Sequence, residues 1–145
     1  MSAEQSRKLI VLAAIWAALI FAPYWMVPLG GYTALATRVL VLGLAYKRDI
    51  DDLRESPSLT IIELLQKRGA HVEYNDPFFP TVGHGRKYAL NMTSTPLEKI
   101  PEFDCVVIVT DHSQYDYSKI VGEAQLVVDT RNATKGIEAA NIVRC

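Results

Sequence analysis

Reactive side chains are scarce in this sequence. Its 145 residues include two cysteines and three histidines, which excludes a disulfide scaffold and leaves little for a structural zinc site. An excess of one charge is also missing. Fifteen Lys and Arg face sixteen Asp and Glu, a formal net charge of -1, and such a balance gives no support for a nucleic-acid partner. No GxGxxG turn, Walker A loop or GxSxG elbow occurs, so the usual dinucleotide, nucleoside triphosphate and nucleophile-elbow signatures are absent. There is no repeat and no low-complexity tract. The length fits one ordinary domain with an appendage, and a complete two-domain cofactor enzyme does not fit.

Charge is lacking altogether between Leu9 and Thr37. The densest apolar part, Leu9 to Phe21, follows Arg7 and Lys8, and Arg38 closes the stretch. A helix needs roughly 20 apolar residues to span a bilayer, and Leu9 to Leu29 meets that length. Pro23 and Pro28 would kink such a helix, while Tyr24 and Trp25 suit an interfacial belt. Residues 1–38 are therefore read as an apolar helical segment associated with a membrane through residues 9–37. A signal peptide and a helix packed on the domain are the alternatives. Phe21 to Ala45 loosely resembles the first span of branched-chain amino-acid transporter permeases, but a transporter needs further spans and the chain has no second one.

From Val39 to Cys145 the pattern changes. Val39 to Ala45 is a near-continuous apolar run, as in a strand buried on both faces. A polar loop, Lys47 to Glu55, leads to Ser56 and Pro57, an N-cap followed by a first-turn proline. Leu59, Ile61, Ile62, Leu64 and Leu65 form one broad helical face, and Gly69 ends the helix after Lys67 and Arg68. His71 to Pro77 alternates, with Val72 and Tyr74 inward and a turn at Asp76-Pro77. A short helix is expected from Arg86 to Leu90, another from Thr95-Pro96 to Ile100, and a third over Tyr117 to Ile120. Asp104 to Asp111 and Leu126 to Thr130 are further buried strands. Strand, helix and strand in alternation predict an α/β fold: a three-layer, Rossmann-like domain with a mostly parallel sheet, preceded by the apolar N-terminal helix.

Ligands of such sheets bind beyond the carboxyl ends of the strands. Three polar loops leave those ends: Tyr46 to Glu55, Asp111 to Asp116 and Thr130 to Lys135. Lys47, Arg48, Arg54, Arg131 and Lys135 converge there, beside a helix N-terminus with free donors, and a phosphate or diphosphate site is one reading. The other is that Lys47, Arg48 and Arg54 merely neutralise Asp49, Asp51, Asp52 and Glu55. Cys105, inside a strand, is core filler rather than a nucleophile. Cys145 has no activating pattern. His112 is the one histidine at the ligand edge, read as a loop polar residue ahead of an acid or base. Two Asn-x-Thr triplets, at Asn91 and Asn132, are read as chance. No catalytic residue and no metal ligand is assigned.

These residues also carry a resemblance. Gly43 to Pro77 (GLAYKRDIDDLRESPSLTIIELLQKRGAHVEYNDP), Val106 to Tyr117 (VVIVTDHSQYDY) and Val127 to Gly136 (VVDTRNATKG) are similar, in that order, to the C-terminal domain of nucleotide-sugar 6-dehydrogenases. These oxidise UDP-glucose, GDP-mannose or UDP-N-acetylhexosamines, and the AYK and TDH elements look closest to the N-acetylhexosamine branch. The resemblance implies that residues 39–145 are the domain covering a UDP-sugar, in an enzyme that uses NAD and a thioester-forming cysteine. It assigns Tyr46, Lys47 and Arg131 to the substrate and Arg54 to bound NAD, with Glu55 and Ser56 in support at the helix start. The NAD fingerprint, catalytic-cysteine loop, general-base lysine and dimer helix of that family are not found. The expectation is thus a substrate-side half, inactive alone, whose partners are a UDP-sugar and a dehydrogenase lacking this domain, in the cytoplasm or tethered to the inner face of the membrane. The alternatives are a non-catalytic UDP-sugar-binding module and a non-functional fragment or chimera.

Overall fold

The computed structural model describes residues 37–84 and 89–145. The expected apolar helix and membrane segment of residues 1–38 lie outside the described residues, apart from Thr37 and Arg38. Among the described residues no helix is long and apolar enough to cross a membrane.

Five strands form one parallel sheet: β1 (Arg38–Leu42), β2 (His71–Asn75), β5 (Cys105–Ile108), β6 (Val127–Asp129) and β7 (Ile142–Arg144). Their order is β2-β1-β5-β6-β7, every pair parallel. A separate antiparallel hairpin joins β3 (Thr81–His84) to β4 (Ala89–Thr93). Helix α1 (Pro57–Lys67) connects β1 to β2, a 3-10 helix (Leu97–Glu102) precedes β5, and α2 (Tyr117–Glu123) connects β5 to β6.

The period of two in β1 builds the layers. Leu40 and Leu42 face a core with Phe103 and Ile100 near the 3-10 helix and with Ile120 and Val121 of α2. Val39 and Val41 face the opposite core, with Leu59 and Ile62 of α1, Val72 and Tyr74 of β2, and Val82 and Leu90 of the hairpin. Both faces of β1 are thus covered, which is why its sequence is apolar throughout. The two cores make this a three-layer α/β domain, as the alternation of elements predicts.

Several elements differ from the sequence expectation. The first strand stops at Leu42, short of Ala45, because Gly43 adopts φ +84 and turns the chain out of the ladder. The helix expected from Arg86 to Leu90 is corrected at its C-terminal end: Ala89 and Leu90 belong to β4, and residues 85–88 lie outside the described residues. Local propensity gives way here to pairing with β3. On α1 the apolar face is narrower than the run of leucines and isoleucines suggests, since Leu64 is 50% exposed. β7 carries little burial and gave no apolar signal, and its two neighbouring residues at the end, Val143 and Arg144, are exposed.

At Gly43 any side chain would be both strained and crowded. Its φ lies in the left-handed region, and a Cβ there would overlap the backbone and side chain of Thr110. Strain of that kind costs about 1–2 kcal/mol, and the overlap adds a similar amount. Gly43→Ala is expected to lower stability by about 2–4 kcal/mol, read from the midpoint shift in urea unfolding. A change below half a kcal/mol would show that the β1 turn relaxes freely.

Candidate functional site

The segment that leaves β1 has no regular partner strand, yet every backbone polar group from Gly43 to Ala45 is satisfied. Gly43 N–H donates to the Asn75 carbonyl at 2.9 Å. The Ser58 hydroxyl donates to the Gly43 carbonyl at 2.8 Å, the Ser56 hydroxyl to the Leu44 carbonyl at 2.6 Å, and the Thr110 hydroxyl to the Ala45 carbonyl at 2.6 Å. The Leu44 and Ala45 amides both donate to Asp76 Oδ2, at 2.6 and 3.1 Å. Buried backbone groups must find partners, and here four side chains, from the α1 start and the ends of β2 and β5, supply them together with the Asn75 carbonyl.

Asp76 and His112 sit at the centre of this arrangement. Both are buried. His112 Nδ1 accepts the Asp49 amide at 3.0 Å, so the ring proton belongs on Nε2, which donates to Asp76 Oδ2 at 3.1 Å. The ring packs against Phe78 and Tyr115, with centroids 5.1 and 5.8 Å away. His112 is therefore a buried structural residue and not the loop polar residue of the sequence reading. Asp76 is likewise more than a turn former. It lies at the end of β2, where the register brings it beside Gly43 of the β1 turn.

Outside this buried layer stands the exposed one. Tyr46 is 46% exposed, and its amide closes the loop by donating to the Asp52 carbonyl at 2.8 Å. Lys47 is exposed, with Nζ 5.5 Å from the centre of the Tyr46 ring. Among the described residues Lys47 has no carboxylate within ion-pair distance. Arg48 and Arg131 reach the same carboxylate from different loops: Arg48 lies 3.7 Å from Asp111 Oδ2 and Arg131 Nε lies 3.4 Å from Asp111 Oδ1. Asp111 thus brings the first and third loops together at the carboxyl edge of the sheet.

Arg131 is aimed by Asp129, the last residue of β6. That buried carboxylate accepts the amides of Arg131, Ala133 and Thr134 at 2.9, 3.1 and 2.7 Å and the Thr134 hydroxyl at 2.7 Å. Burial alone would raise its pKa. The Thr134 hydroxyl and the three amides outweigh that and hold it below the ordinary value. Arg54 is 88% exposed and donates to Asp52 through its backbone and guanidinium, at 2.9 to 3.0 Å. Those hydrogen bonds hold the Asp52 carboxyl down at about 2. Glu55 is exposed with φ 60, and Ser56 is the buried N-cap of α1, accepting the Ser58 amide at 3.2 Å.

The geometry also bears on NAD. Doubly wound folds hold a dinucleotide pyrophosphate on the amides of the first strand-to-helix turn. Here the Leu44 and Ala45 amides are already bound by Asp76, and the Ser58 amide by Ser56. An internal carboxylate fills the anion position, so NAD does not fit this turn. Cys105 opens β5 at the opposite end of the sheet, half-buried, with burial pushing its thiol pKa up. Neither its place nor its ionisation suits a nucleophile at this edge.

A family model described as the UDP-glucose/GDP-mannose dehydrogenase family, UDP binding domain, matches residues 40–136. The chain belongs to this family. A UDP-glucose 6-dehydrogenase from Rhizobium meliloti is 32% identical over 111 residues, which cover 72% of this chain and 25% of that protein. A UDP-N-acetyl-D-mannosamine dehydrogenase from Methanococcus vannielii is 30% identical over 104 residues, 66% of this chain and 22% of that protein. The solved structure of a UDP-D-ManNAc dehydrogenase from Pyrococcus horikoshii matches with a TM-score of 0.56 and 25% identity, over 74% of this chain and 25% of that one. The chain therefore spans about a quarter of the length of the relatives it matches. Relatives named for UDP-glucose and for UDP-N-acetyl-D-mannosamine match at similar levels, so an N-acetylhexosamine branch is not singled out. The match begins at residue 40 and lends nothing to the permease likeness of the N-terminal segment.

Of the residues expected from the sequence, Tyr46, Lys47 and Arg131 share the carboxyl edge, Arg54 stands exposed beside the α1 N-terminus, and Ser56 is buried beneath. The sequence reading missed Asp76, Asp129 and the network role of His112. The DT at Asp129-Thr130 and the ND at Asn75-Asp76 were visible, but nothing local says that a carboxylate will turn inward to bind amides.

Removing the Asp129 carboxylate strands three amides and a hydroxyl. Asp129→Ala should cost about 2–4 kcal/mol near neutral pH. Because the folded pKa lies below the ordinary 3.8, the contribution is complete above that value and lost as the pH falls through the lowered one. The variant's stability should then change less than wild type's over that acid range, measured by urea unfolding at successive pH values.

Proposed function

We propose that residues 39–145 form the substrate-side domain of a nucleotide-sugar 6-dehydrogenase and bind the UDP portion of a UDP-sugar at the carboxyl edge of the sheet. The observation that carries this is the meeting of cationic groups from separate loops beside an exposed aromatic ring. Arg48 and Arg131 converge on Asp111, and Lys47 stands beside Tyr46 with no carboxylate partner among the described residues. An anionic diphosphate wants fixed cations, and an arginine fork offers two parallel donors. Tyr46, Lys47 and Arg131 are the substrate contacts in this reading. Tyr46 offers its ring face, Lys47 a point charge, and Arg131 a planar fork.

Ser56 and Glu55 support that edge at the start of α1. Arg54, exposed beside them, is assigned to an NAD molecule held outside this domain. Two NAD molecules in turn would each accept a hydride in the complete reaction, which oxidises the sugar C6 alcohol to a carboxylate with water supplying the second oxygen. Nothing in the described site supplies the nucleophile that covalent oxidation needs, so this edge binds and orients while the oxidation requires groups beyond it, on a dehydrogenase partner. A second reading, a UDP-sugar-binding module without catalysis, is favoured by the filled dinucleotide turn, where Asp76 takes the amides a pyrophosphate would use. Association with a membrane through residues 9–37 remains part of the proposal for the N-terminal segment.

Calorimetric titration of the full chain with UDP tests the ligand. Saturable binding is expected, weakened by about a hundredfold in a Lys47→Ala, Arg131→Ala double variant. The absence of heat with wild-type protein that unfolds cooperatively would overturn the reading.

A further inference from the structure

The Tyr46–Asp52 loop has few fixed points. Its first amide is bonded to the Asp52 carbonyl, which closes the loop upon itself. Its tip, Asp49, has φ 58. Two bonds tie that tip to the rest of the domain: the Asp49 amide on His112 Nδ1 at 3.0 Å, and the Ser113 amide on Asp49 Oδ1 at 2.8 Å. The second involves an exposed aspartate. The first ends on a fully buried ring.

We propose that His112 is a positioning residue for this ligand-facing loop, holding the Asp49 amide on an unprotonated Nδ1 and so fixing where Tyr46 and Lys47 stand. The inference rests on the ligand reading above. Its physical basis is a shared reference point. Asp76 Oδ2 accepts from Leu44 and Ala45, immediately before Tyr46, and from His112 Nε2. His112 Nδ1 accepts from Asp49, three residues after Tyr46. The two flanks of the Tyr46-Lys47 pair are therefore held by one carboxylate–imidazole unit. That unit also selects the tautomer, because an Nε2–H committed to Asp76 leaves Nδ1 as an acceptor. Phe78 and Tyr115 fix the ring plane, and the Tyr117 hydroxyl donates to the His112 carbonyl at 3.0 Å. A side chain that packs equally well but lacks the δ1 acceptor would leave the Asp49 amide unpaired and the loop held to the domain by exposed contacts, Asp49 Oδ1 on the Ser113 amide and Arg48 on Asp111.

Two near-isosteric variants separate the two ring nitrogens. His112→Asn keeps an acceptor at the Nδ1 position and loses the donor to Asp76. His112→Gln keeps a polar group at the Nε2 position and loses the acceptor for Asp49. Amide hydrogen exchange on the full chain reads the loop, and UDP titration of the same samples reads the site. In His112→Gln the Asp49 amide should exchange at least about tenfold faster than in His112→Asn, with Leu40 and Val106 amides alike in both. UDP should bind about tenfold more weakly to His112→Gln than to His112→Asn. Equal Asp49 exchange in the two variants, or undiminished UDP binding by His112→Gln, overturns the positioning role. If wild type does not bind UDP, the ligand reading falls and the exchange contrast alone decides the tether. Should His112→Gln not fold, imidazole nitrogen shifts of the wild-type protein decide: a protonated Nδ1 at neutral pH overturns the proposal.

Discussion

One buried carboxylate organises the carboxyl edge of this sheet. Asp76 takes two successive amides of the β1 turn and the imidazole of His112 on a single oxygen, while its other oxygen accepts the Phe78 amide at 2.8 Å. A buried charge is costly unless hydrogen bonds surround it, and this one is surrounded. In return it fixes the ends of β1, β2 and β5 relative to one another. The path of the chain from the Gly43 turn to the loop at Tyr46 is held by that anchoring.

The same carboxylate sets what the fold can bind. A Rossmann-like domain offers an anion position at its first turn by default. Filling it from within removes that option, and the binding edge proposed above lies further out, on the side chains of the loops. There the electrostatics are paired and open by turns: Asp111 holds Arg48 and Arg131, Asp52 holds Arg54, and Lys47 stands apart beside Tyr46. The chain belongs to the UDP-glucose/GDP-mannose dehydrogenase family through its UDP binding domain.

The architecture was legible because apolar runs report burial on both faces. Leu40 to Leu42, Val106 and Ile108 are buried, with Val107 half-buried between the last two, and both runs read as buried strands. Ser56-Pro57 marked the start of α1 correctly because a cap is a local interaction. What stayed hidden depends on contacts between distant residues. The hairpin partner of Ala89–Thr93 and the edge strand Ile142–Arg144 have no strong pattern of their own. His112 looked like a loop residue because its neighbours Asp111 and Ser113 are polar. Its burial comes from Asp76, Phe78 and Tyr115, which only the fold assembles. Lys47 and Arg131 became candidates through their place in polar loops beyond the strand ends, and Tyr46 only through motif resemblance, since exposure leaves no trace in hydrophobic periodicity.

The parallel pairing of β1 has a consequence for how the chain reaches this state. β1 is the first described strand, yet its partners are β2, beyond a whole helix, and β5, beyond the hairpin as well. No strand of the sheet can close on its immediate successor through a tight turn. Loop closure must therefore precede most of the stabilising contacts, which places the domain among slowly folding topologies. During synthesis the apolar β1 strand waits, unpaired on one edge, until β5 has emerged. The interval before that pairing is when an unfolded chain of this kind is most exposed to self-association.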